Sequence, residues 1–135
     1  MGRILSFIFG FEIAAMIVAY LSFQGIADRG VASLVAGSVF VALGVTMVAL
    51  GMRNRAFRKT FTFWLGLVHL FVISLPMMAT RIANWGTEFH SVYIFGVIPG
   101  PTFHRYSEMF YAALVIGTVI DRVRFRYEER KLGHQ

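Results

Sequence analysis

VASLVAGSVFVALGVTMVALGM, residues 31–52, contains no charged side chain and no proline. Its length matches the ~20 residues that cross the ~30 Å hydrocarbon core of a bilayer. The run reads as a transmembrane helix and sets the class of the whole chain. Ile4 to Phe23 and Phe61 to Thr80 are apolar over similar lengths, and Met109 to Ile120 becomes long enough when its helix is counted from Pro101. The expectation is an all-α membrane protein, a four-transmembrane-helix bundle with spans at about 4–23, 31–52, 60–80 and 101–122. Residues 1–135 then form a single integral membrane domain ending in a basic tail, 123–135.

Composition agrees. Hydrophobic residues make up 57% of the chain and charged residues 15%, with a mean hydropathy of +0.66. A 15.2 kDa soluble domain cannot hide that much apolar surface, so lipid must cover the excess. The absence of cysteine excludes disulfides, thiolate metal sites and thiol nucleophiles. Met1-Gly2-Arg3 ahead of an apolar run also fits a signal peptide. The run is longer than an ordinary signal core, carries Glu12, and is followed by Gln24-Gly25-Ile26-Ala27 without a small-x-small cleavage site, so the first helix is expected to be retained.

The basic residues divide by side. Arg3, the cluster Arg53, Arg55, Arg58 and Lys59, and Arg122, Arg124, Arg126, Arg130 and Lys131 flank one end of the spans, against Arg29, Arg81 and Arg105 at the other. Positively charged short loops stay in the cytoplasm, which assigns both termini to the cytoplasm of a plasma (inner) membrane protein, with an apolar outer loop between helices 3 and 4. Trp64, Trp85, Tyr93 and Tyr106 fall where interfacial aromatics belong. The formal charge of +6 reads as a topology signal that also attracts anionic lipid, and no nucleic-acid partner is expected.

Gly37, Gly44 and Gly51 recur every seven residues, with Ala32-x-x-x-Ala36 beside them. Small residues permit close backbone approach, the source of van der Waals attraction between helices in lipid. Ala113, Gly117 and Asp121 form a second such stripe, and Glu12, Ala15, Met16 and Ala19 share a face at helical spacing, which turns Glu12 toward protein. Such seams join the helices of one chain, a homo-oligomer or another membrane protein equally well. Pro76 is expected to kink the third span against the Val72 carbonyl. The connection RIANWGTEFHSVYIFGVIPG, residues 81–100, is too apolar to float in water and should lie on the bundle or the membrane surface.

Two polar constellations stand out. Glu12 and His69 lie roughly 12 and 14 Å deep when counted at 1.5 Å per residue, so they could meet and exchange a proton near neutral pH. Their plainer role is a hydrogen bond between two helices. Glu88, His90, His104 and Glu108 lie at the other end, where two imidazoles and two carboxylates suit zinc, iron or manganese if the loop folds over the helix. A metal is thus the one cofactor considered. Haem clamped by His69 and His104 is not expected, because His104 lies roughly 25 Å from the inner face.

The size, four spans and lone glutamate of FEIAAMIVAY, residues 11–20, resemble the small multidrug-resistance transporters, in which such a glutamate binds protons and cationic drugs. The long loop and one-sided charge of this chain depart from that family's short loops and weak charge bias. The reading that follows is an accessory or anchoring subunit of a larger membrane complex rather than an enzyme. A proton-coupled transporter or channel using Glu12 and His69 is the alternative, and a membrane metalloprotein the second.

Overall fold

A computed structural model describes residues 1–132, and most of them are helical. Asp28 starts the second helix, its carboxylate accepting from the Gly30 and Val31 amides at 2.8 and 3.1 Å. Thr60 starts the third, accepting from the Phe63 amide at 3.2 Å. Between them Asn54 accepts from the amides of Ala56 and Phe57, which tightens the chain into a single 3-10 turn, Phe57–Lys59. Gly100-Pro101 opens the last helix, where proline has no internal hydrogen bond to lose.

Four long helices result: Gly2–Gly25, Arg29–Arg53, Phe61–Ala83 and Gly100–Leu132. The first three are long and apolar enough to cross a membrane. The last has 33 residues, on the order of 50 Å, with a charged second half. Each packs on two others, first on second and last, third on second and last. The ends of the bundle are distinguished by what they carry. Gly30 lies against Trp85 at the loop end, and Thr62 meets Asp121 at the tail end.

The buried core, including Leu5, Ile8, Leu43, Met47, Phe63 and Leu114, lies toward the tail end. The outward faces are apolar, with Leu21 58% and Phe71 59% exposed. Side chains with nothing to offer water suit a hydrocarbon surrounding.

The glycine seam joins the second helix to the third. An added Cβ at Gly51 would strike the Phe63 ring, one at Gly44 would come within 2.8 Å of the Leu70 Cβ, and one at Gly37 would strike the Met78 sulfur. The glycines are spaced seven and seven, whereas their partners 63, 70 and 78 are spaced seven and eight. The extra residue lies in the π-helical stretch His69–Ser74, where the Leu75 amide bonds to the Leu70 carbonyl, one residue further back than in an α-helix. Pro76 therefore follows a widened turn, and the helix continues to Ala83.

The second small-residue stripe is only partly as expected. Gly117 is buried against Leu65, but Ala113 is exposed, because the packed face runs through Leu114, Gly117, Thr118 and Asp121. Of the first-helix face, Glu12 and Ala15 are buried while Met16 is exposed.

The long connection folds onto the bundle. A 3-10 turn, Phe89–Ser91, leads into two short antiparallel strands, Tyr93–Ile94 and Ile98–Pro99. Val92 and Ile94 are buried beneath them. The hairpin turns through Phe95 and Gly96, both left-handed at φ 55° and 73°. Gly100 lets the chain return, since its amide donates to the Val92 carbonyl at 2.8 Å and a Cβ there would collide with the Phe89 carbonyl.

Candidate functional site

Glu12 is fully buried in the seam between the first and last helices. Its Oε1 accepts from the Thr118 hydroxyl at 2.7 Å, and its backbone carbonyl accepts from the Tyr111 hydroxyl at 2.6 Å. Its Oε2 is buried without a hydrogen-bond partner. Tyr111, Thr118 and the Asp121 beyond them lie on one stripe of the last helix. Asp121 Oδ2 accepts from both the amide and the hydroxyl of Thr62, at 2.8 and 2.7 Å, which holds the last helix to the start of the third. Next to it Arg122 reaches over the Phe9 ring.

His69 does not pair with Glu12. Its Nδ1 shares a hydrogen bond of 3.1 Å with the Ser74 hydroxyl, five residues on, and the π-helical turn stacks these two positions on one face. The imidazole is packed among aromatic rings, with centroids of Tyr111, Phe40 and Phe110 at 5.3, 5.9 and 6.3 Å. Tyr111 thus touches both residues, its ring toward His69 and its hydroxyl toward the Glu12 backbone. It fills the space in which a direct contact would form.

The four residues considered for a metal are not brought together. Glu88 and His90 line a recess of about 520 Å³ at the loop end, with Asp28 and Trp85. His104 and Glu108 pair with each other, Nε2 to Oε1 at 3.2 Å, along the last helix. The turn at Phe89–Ser91 presents Phe89 to His104, with ring centroids 6.3 Å apart, so an apolar ring occupies the place a ligand would need. Among the described residues no three His, Asp or Glu side chains converge as a metal site.

A further feature has no counterpart in the sequence reading. A cleft of about 660 Å³ opens in the loop half of the bundle, lined by all four long helices. His69, Phe40 and Tyr111 form its floor, and Met16, Met77 and Met78 line its walls. Arg81 stands between the cleft and the recess and lines both. Its guanidinium donates to the Ser33 hydroxyl at 2.8 Å and lies 4.2 Å from the centroid of the Phe89 ring. Neither ion pair among the described residues involves it. The sequence did hold one signal of the seam: Tyr111, Thr118 and Asp121 are polar positions on a single stripe of an apolar segment. The cleft left no such trace, because it depends on how the helices separate. No family model, characterised protein or solved structure matches the chain.

Proposed function

We propose that this chain is a multi-pass membrane protein with four crossings and both termini in the cytoplasm of a plasma (inner) membrane. In this reading it is a non-catalytic accessory or anchoring subunit of a larger membrane complex. The observation that carries the reading is the use made of the ionisable side chains between helices. Glu12 is tied to Thr118 and Asp121 to Thr62, each fastening one helix to another, while Glu12 and His69 do not form the pair a proton relay would use. Polar groups committed to helix packing suit a scaffold whose exposed apolar faces meet lipid and a partner. The orientation is supported by the basic residues near the Thr62–Asp121 contact, which gathers the Arg53 to Lys59 and Arg122 to Lys131 clusters at the tail end. A defined protein co-eluting at fixed stoichiometry, after mild extraction from the native membrane, is the expected result. Elution as the 15.2 kDa chain alone overturns the subunit reading.

One observation favours a proton-coupled carrier as the second reading. Glu12 Oε2 is buried and unpartnered, and Tyr111 links its helix to the floor of the cleft. Infrared titration of the reconstituted protein between about pH 5 and 9, with Glu12→Gln to assign the band, separates the two. A carboxyl band that titrates there supports the carrier, and a fixed band supports the scaffold.

A further inference from the structure

The cleft has about the length of one lipid chain. Its floor at His69 and its mouth at Arg81 are twelve residues apart on the third helix, about 18 Å. That is close to one leaflet, half of the ~30 Å hydrocarbon core. The exposed lining residues Met16 and Tyr20 belong to the first helix, and Glu108 and Ala112 to the last. These two helices therefore edge the opening. They are joined at Glu12, Tyr111 and Thr118, so the seam is closed toward the tail end and open toward the loop end.

We propose that the cleft binds one bilayer phospholipid with an anionic headgroup, its phosphate held by Arg81 and one acyl chain lying in the cleft down to His69. The lining is apolar over most of this depth, and methionines adapt to a chain without fixed shape. At the mouth, Arg81 borders both the cleft and the more polar recess, which is the position a headgroup joining tail to water requires. The neighbouring acids leave it available. Asp28 Oδ1 accepts from the Gly30 and Val31 amides and Asp28 forms no ion pair with Arg81, while Glu108 lies against His104. Glu88 also borders the recess but forms no ion pair with Arg81. A guanidinium without a carboxylate presents a fork of donors that matches phosphate or carboxylate oxygens.

The test is native mass spectrometry of protein extracted from vesicles of equal phosphatidylglycerol and phosphatidylcholine. One lipid per chain is expected, with phosphatidylglycerol retained about fivefold or more over phosphatidylcholine. Arg81→Gln should equalise the two lipids. Ala112→Trp, which leaves Arg81 in place and fills the exposed wall, should lose the bound lipid while keeping its helical circular dichroism. If Arg81→Gln fails to fold, Ala112→Trp and the charge-keeping Arg81→Lys carry the test, the latter retaining the preference. Equal retention by the unaltered protein, an unchanged preference in Arg81→Gln, or full retention in Ala112→Trp overturns the proposal. So does preferential retention of added free oleate over both phospholipids.

Discussion

Gly44 and Gly10 both lie inside long helices, yet their surroundings give them opposite roles. A methyl at Gly44 would sit 2.8 Å from the Leu70 Cβ, so the second and third helices would have to separate. At Gly10 a methyl would meet nothing within 4 Å. Gly44→Ala should therefore destabilise the bundle by about 1–3 kcal/mol through overpacking. Gly10→Ala should be neutral or stabilising by about 0.4–1 kcal/mol, since it removes only unfolded-state freedom. Denaturation in detergent, followed by helical signal, checks both, and equal effects would mean that the seam does not depend on close approach. The glycine spacing was legible because periodicity survives without coordinates. The exposure of Ala113 was not, because a stripe drawn through small residues ignores the larger Leu114 and Thr118 that turn inward.

The third helix keeps register with the second by absorbing one residue. Phe63, Leu70 and Met78 reach glycines seven apart only because the turn His69–Ser74 is wider than an α-turn. Deleting Val72 in a Pro76→Ala background should restore a seven-residue interval and a plain α-helix, with a loss of stability under about 1 kcal/mol. Deleting Leu67, between Phe63 and Leu70, should instead rotate Phe63 by about 100° away from Gly51 and cost several times more. Melting temperatures of the two deletions decide the matter, and similar values would detach the π-turn from the register. Proline marked this region in the sequence, but the widened turn beside it depends on the hydrogen bonding of its neighbours. The same local geometry pairs His69 with Ser74, a contact that counting depth along straight helices cannot find.

Over the whole molecule, the order and length of the apolar runs supplied most of the helices. Three apolar helices were legible from length and hydropathy alone, and the fourth from the helix start at Gly100-Pro101. The cleft and the placement of Tyr111 between Glu12 and His69 were not, because both arise from the angles at which helices meet. Orientation is open to direct measurement. The chain has no cysteine, so single replacements report cleanly. In whole cells a membrane-impermeant maleimide should label Thr87→Cys at once and Ala56→Cys only after permeabilisation. The reverse pattern would invert the orientation.

Asp121 and Thr62 bear on the order in which the molecule is made. The last helix is the least apolar of the four, and the carboxylate near its tail end is satisfied only by the amide and hydroxyl at the start of the third. During synthesis the second and third helices emerge first and can close along their glycine seam as a hairpin. When the last helix leaves the ribosome, the donors for its carboxylate are already in place. Translation thus delivers the most polar segment to a finished docking surface, and a last helix that emerged before the seam had closed would leave Asp121 without its donors.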